Sequence, residues 1–130
     1  WLDALKGVLQ HVPIYNAVMK ETGSRLLPVT KGKIEGAPAE KVFYFQAPDN
    51  RMRGFRVQKG DLVLVVPSQT AEDGAMMLLD TDLGKQLFVL KILPRYQLLL
   101  QTFDQQNASE VVAMSDVRII GKCVRLEAEL

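Results

Sequence analysis

Chemistry in this chain has few carriers. The sequence holds one histidine, His11, one cysteine, Cys123, and four serines, Ser24, Ser68, Ser109 and Ser115. A lone histidine argues against histidine triads and multi-histidine metal sites, and beside Pro13 it reads as an ordinary exposed side chain. A lone cysteine excludes an internal disulfide and a cysteine-based zinc site. Within the apolar run 119–124, Cys123 reads as a small buried hydrophobe. Asp80 and Asp82 hint at calcium, but their loop lacks the remaining oxygen ligands and reads as a hairpin turn. No phosphate-cradling glycine loop is present, so neither metal nor cofactor is expected. The most suggestive group is Lys91. Its neighbours Val89 and Leu93 on one face and Phe88, Leu90 and Ile92 on the other are all apolar. That pattern predicts a strand covered on both sides and a Lys91 at least partly buried, which is how a lysine becomes a base.

The elements that must position such a residue are short apolar runs between turn signals. Strands are expected over residues 12–18, 41–47, 62–67, 75–81, 86–93, 97–102 and 117–125, with one more near 26–30 inside a polar, irregular excursion at 21–39. Turns fall at Asp49-Asn50, Lys59-Gly60-Asp61, Asp73-Gly74, Leu83-Gly84, Pro94-Arg95 and Gln105-Gln106-Asn107. The fold class is therefore mostly β. Residues 1–11, with Leu2, Leu5, Val8 and Leu9 at helical spacing, read as a linker or one short amphipathic helix before a domain at 12–130. Met52, Leu62, Val63, Leu64, Val65, Leu78, Val89, Leu90, Ile119 and Ile120 are the expected core. Phe43, Tyr44 and Phe45 alternate across a strand, as core plus one exposed ring.

Composition narrows the function. With 130 residues, 48% hydrophobic and 24% charged, the chain fits one domain with a modest core. Sixteen basic against fifteen acidic residues leave a net charge of +1, without the basic excess of a domain that grips DNA alone. The densest basic cluster, Arg51, Arg53, Arg56 and Lys59, is interrupted by apolar residues. No apolar run approaches the roughly 18 residues that cross a bilayer, and no secretory signal is visible. A cytoplasmic location without a membrane partner is expected. The chain opens on Trp1 with no initiator methionine, so a preceding segment is expected too.

Four stretches fall in a telling order. Met52 is followed, after seven intervening residues, by Gly60-Asp61 and an apolar strand. Glu72-Asp73-Gly74 turns into a second strand, Lys91 interrupts a third, and the apolar run 117–124 closes the series. Over residues 12–125 this resembles the LexA and phage-repressor self-cleaving peptidases, which share their fold with signal peptidases. The resemblance implies several short, strongly bent strands.

In self-cleaving members of that family, a serine before the methionine attacks the protein's own chain, and a neutral lysine takes its proton. Here Arg51 stands at the serine position, and a slip of one residue gives only Asn50. Lys91 stands at the lysine position. The small pair at the cleaved bond is replaced by Met19-Lys20-Glu21. The resemblance thus implies vestigial positions, Arg51 and Lys91, and no catalytic residue. Two cations about 4 Å apart would repel by roughly 4 kcal/mol at an effective dielectric near 20. Arg51 is therefore expected to swing out to solvent, the alternative being Asp49, another carboxylate or an acidic ligand between the two.

The expected function is the regulatory and dimerisation domain of a bacterial or phage transcriptional repressor without self-cleavage. It would form a homodimer and meet DNA only through an absent N-terminal domain. A regulatory protein or ligand would release it. The rivals are a hydrolase that uses an unrecognised nucleophile with Lys91 as base, and a peptide- or ligand-binding module in the degenerate cleft.

Overall fold

The computed structural model describes residues 8–128. The strands are β1 (Leu9–Tyr15), β2 (Glu21–Pro28), β3 (Lys33–Ile34), β4 (Ala37–Pro38), β5 (Phe43–Gln46), β6 (Leu62–Pro67), β7 (Met76–Thr81), β8 (Gly84–Leu93), β9 (Gln97–Phe103), β10 (Asn107–Ala113) and β11 (Arg118–Glu127). Short 3-10 turns lie at Ala39–Lys41, Arg53–Phe55 and Met114–Asp116. The fold is mostly β, and among the described residues no helix is long and apolar enough to cross a membrane.

Nine strands form one sheet in the order β10-β9-β8-β7-β11-β6-β5-β1-β2, while β3 and β4 pair separately. All neighbours in the large sheet are antiparallel except β1 and β5, which run parallel through Ile14–Tyr44 and Tyr15–Phe45.

Side-chain alternation explains why so many central strands are apolar throughout. In β6, Leu62 and Leu64 enter one cluster with Val12, Ile14, Val42 and Tyr44, whereas Val63 and Val65 enter a second with Phe45, Met52, Leu78 and Leu87. In β7 and β8, Leu78 and Leu87 face that second cluster, while Met77, Leu79, Phe88 and Leu90 face a third. Both faces of these strands are buried, so period-two polarity vanishes. The sheet also coils strongly. A Cβ on Gly84, in the β7–β8 turn, would lie 3.8 Å from the carbonyl oxygen of Ala17, in the β1–β2 turn.

The long β11 bends through register shifts at Ile119/Gly121 and Cys123/Arg125. Gly121 permits this: a Cβ there would lie 2.4 Å from the Val66 carbonyl oxygen, a backbone atom that cannot move aside.

Several expectations change. Of the helix expected over 1–11, residues 1–7 lie outside the described residues, and Leu9, Gln10 and His11 are strand, opposite Pro28, Leu27 and Leu26. Ladder pairing with β2 overrides a short helical pattern that had no surface of its own. β2 runs from Glu21 to Pro28 and so occupies the first part of the stretch expected to be irregular. β10 was not expected. Of the expected core, Val89 and Ile120 are half-buried and the rest buried.

Candidate functional site

The loop between β5 and β6 is closed by its own polar groups. Asp49 Oδ1 accepts the Arg51 amide at 3.1 Å, and Asn50 Oδ1 accepts the Lys59 amide at 2.9 Å. At the far end, Asp61 Oδ2 accepts the Gln58 amide at 2.9 Å, and the Gly60 amide donates to Ala47 at 2.8 Å. Gly60 has φ +92°, a conformation that favours glycine, which accounts for the Gly-Asp pair before β6. Met52 anchors the middle: it is 2% exposed and sits among Phe45, Val57, Val63, Leu78 and Leu87. A buried methionine between capped ends fixes where residue 51 must stand.

Arg51 is half-exposed and turns back onto Asp49, its Nε donating to Oδ1 and Oδ2 at 3.3 and 3.2 Å. It does not swing free into solvent, because a carboxylate two residues away is already held by the Asx turn. Its carbonyl accepts the Phe103 amide at 2.8 Å, so the loop also holds the end of β9. Phe55 meets the Phe103 ring edge-on at 6.5 Å. Gly54 makes room: a Cβ there would lie 1.6 Å from the Phe103 ring.

Lys91 is exposed, contrary to the partial burial expected from its neighbours. The physical reason is that the end of β8 outruns its covering layers, leaving Ile92 46% exposed as well. Lys91 pairs with Leu99. Leu99 precedes Phe103, the residue tied to Arg51, by four positions, about 13 Å along β9 at the usual strand rise. The neighbouring Ile92 amide donates instead to Asp73 at 2.7 Å, so this strand end belongs to the Asp73-Gly74 turn. The apolar side chains of β8 that pack on the Met52 cluster are Leu87 and Val89, and Lys91 follows them on the same face, past the cover. Arg51 is paired with Asp49 and Lys91 is exposed, so carboxylate and solvent offset the repulsion expected between the two cations.

Residues 19–21 lie where β1 turns into β2. Asn16 Oδ1 accepts the amides of Val18 and Lys20 at 3.1 and 2.9 Å, and Met19 adopts φ +59°. The turn lays Ala17 and Met19 on the Met52 cluster. Met19 therefore packs beside Met52 within a self-capped turn.

The remaining candidates take structural places. His11 is exposed, and Cys123 is a free, half-buried cysteine whose thiol desolvation pushes up to about 12. Asp80 pairs with Lys85 at 2.9 Å, and among the described residues no group of three His, Cys, Asp or Glu could hold a metal. Phe45 and Tyr44 are fully buried, while Phe43 is half-buried and meets Tyr15 edge-on at 5.7 Å. Sequence reasoning missed one constellation: the Tyr44 hydroxyl donates to Glu127 Oε1 at 2.7 Å, and Arg25 Nε stands 3.6 Å from Glu127 Oε2. It ties β2, β5 and β11 together. A tyrosine on the inward face of an expected strand was the available signal, since a buried hydroxyl needs an acceptor.

No curated protein matches the chain. The Peptidase S24-like family model matches residues 12–124, through the strands and loop just described. The chain belongs to the Peptidase S24-like family.

Proposed function

We propose that the chain is the regulatory and dimerisation domain of a LexA-like transcriptional repressor that no longer cleaves itself. The observation that carries this reading is the Arg51–Asp49 ion pair where the family pattern has its serine, with Lys91 exposed at the end of β8. A guanidinium offers no nucleophilic oxygen, and the exposed Lys91 lacks the burial by which a lysine becomes a base. The self-capped turn at Met19 adds a second obstacle, because a scissile bond must extend to meet its nucleophile. What remains is the use of the domain as a coupler. Joining two weak DNA-binding heads at half-site spacing raises affinity through effective concentration, without new base contacts.

The test is prolonged incubation at mildly alkaline pH, below the range in which Cys123 and Tyr44 ionise. A single intact band is expected. It is expected again for the triple variant Arg51→Ser, Met19→Ala, Lys20→Gly, because the exposed end of β8 gives Lys91 no cover. A fragment pair cut between Met19 and Glu21 in the unaltered chain would overturn the reading.

A further inference from the structure

The inner face of β2 carries a cation where the core calls for an apolar side chain. Leu27 enters the first apolar cluster with Val12 and Ile14. Arg25, two residues earlier and directly opposite Val12, takes the same face. Gly23, opposite Ile14, takes it too and supplies no side chain at all. A cavity of about 940 Å³ opens here over Ile14 and Leu62, with Thr22, Arg25, Gln46 and Glu127 around it. That volume lies within the roughly 300–1,000 Å³ usual for small-molecule sites. Glu127 pairs with Leu62 and Leu62 with Gln46, so these three form one row across the sheet. Tyr44 and Leu62 point to this side of β5 and β6, whereas Phe45 and Val63 point to Met52. The cavity and the Met52 anchor therefore lie on opposite faces of these strands.

The polar groups around the cavity are unequally satisfied. Glu127 Oε1 accepts the Tyr44 hydroxyl at 2.7 Å, and Oε2 stands 3.6 Å from Arg25 Nε. Gln46 Nε2 donates to the Gly60 carbonyl at 3.5 Å. Among the described residues, the two terminal nitrogens of Arg25 have no partner. The surplus is thus one of donors, on a guanidinium whose Nε is steered by a carboxylate that buried Tyr44 holds in place. A planar fork with free terminal N–H groups fits a carboxylate bidentately.

We propose that this cavity binds a small carboxylate with an aliphatic body, its carboxylate on the terminal nitrogens of Arg25 and its chain over Ile14 and Leu62. The charge supplies orientation and the aliphatic floor supplies burial, the usual division of labour in such a site. An amine of equal length would meet the charge of Arg25 and find both Glu127 oxygens already engaged. The bound acid ties the β1–β2 hairpin to β6, across a junction where β1 and β5 share only the pairs Ile14–Tyr44 and Tyr15–Phe45. It does so whether or not the domain serves a repressor.

The test follows backbone amide shifts of the chain titrated at neutral pH with hexanoate, hexanamide and hexylamine. Hexanoate should move the amides of Thr22, Arg25 and Gln46 saturably and leave those of Arg51 and Phe103 in place. The amide and the amine should bind at least about tenfold more weakly, as should hexanoate to Arg25→Gln, since each loses a charge-assisted bond. Gly23→Leu should abolish hexanoate binding. Gly23 lies outside the left-handed region, and a Cβ there would meet Ile14 Cδ1 at an ordinary 3.7 Å, so leucine extends over the floor. If Gly23→Leu does not fold, the comparison of probes and Arg25→Gln decides alone. Hexanamide or hexylamine binding as tightly as hexanoate would overturn the proposal. So would hexanoate binding that Arg25→Gln leaves unchanged, or no saturable shift at low-millimolar hexanoate.

Discussion

Arg51 and Lys91 stand at the two positions where the family pattern places chemistry, yet their surroundings differ in kind. The loop around Arg51 is capped at both ends, pinned by buried Met52 and bonded to β9. The end of β8 around Lys91 lies in solvent, held chiefly by its ladder and one bond to Asp73. One region is rigidly built around an arginine paired with Asp49, and the other carries its lysine into solvent. A residue type at a family position therefore says little until register and cover are known, because one residue of slip turns a side chain to the other face and each further pair of residues carries it about 7 Å along the strand.

Substitutions at the two regions should separate them sharply. Met52→Ala removes a fully buried anchor and should cost about 3 kcal/mol, within the usual range for large-to-small changes in a core. Lys91→Ala removes an exposed side chain and should stay within about 0.5 kcal/mol. Urea unfolding of both variants measures the contrast. A Lys91→Ala cost approaching that of Met52→Ala would mean that the lysine has contacts its exposure does not account for.

The same contrast explains what could be read from sequence. β6 was legible residue for residue, because four consecutive apolar side chains between turn signals report a strand buried on both faces. The Met52 anchor and the Gly60-Asp61 turn were legible for a similar reason: methionine, glycine and aspartate each do a particular physical task there. β10 and the first half of β2 were not. They are edge strands held by backbone bonds, and their exposed side chains carry little apolar pattern. Lys91 misled because apolar neighbours on both faces ordinarily mean cover. Here the strand runs on past its cover, and only the packing of distant loops decides that. Asp49 was foreseeable only as one of several carboxylates that could offset the charge of Arg51, whereas Glu127 beneath Tyr44 required the fold.

Alkaline titration should sharpen the comparison from another side. Burial pushes the Cys123 thiol from its ordinary 9.0 to about 12, and burial, aided by the bond to Glu127, pushes the Tyr44 hydroxyl from 10.0 to about 12. Each folded-state value lies above its unfolded one. The unfolded chain therefore releases these protons first, and the stability present below about pH 9 falls progressively as pH rises to 12. The slope should be on the order of 1 kcal/mol per pH unit for each group. Cys123 packs on the Met52 cluster and Tyr44 on the neighbouring one, so the loss belongs to the core side of the molecule. Cys123→Ala should move the onset up towards pH 10, where Tyr44 begins to contribute. Lys91→Ala should leave the onset in place. Thermal unfolding over this range decides the matter, and a midpoint that holds steady or rises above pH 9 would contradict the assignment.

The smallest effect is expected beside Lys91, in the turn that joins β8 to β9. Arg95 and Tyr96 have φ of +65° and +58°, a left-handed conformation that costs ordinary residues energy and that asparagine and glycine adopt readily. Two successive left-handed residues match the twist of a tight hairpin, so the backbone is right for the strands while the side chains are wrong for the backbone. Tyr96 is 83% exposed, and its carbonyl, which accepts the Met114 amide at 2.8 Å, survives any substitution. The double variant Arg95→Asn, Tyr96→Gly should therefore gain about 1 kcal/mol, with glycine's added freedom in the unfolded chain offsetting part of the relief. A raised urea midpoint at unchanged slope would register the gain, and an unchanged or lowered midpoint would show that the turn stores no strain. Amide shifts of Arg51 and Phe103 should stay fixed in the same variant. If they moved, the strand end and the loop would be mechanically coupled after all, and the separation drawn between the two regions would fail.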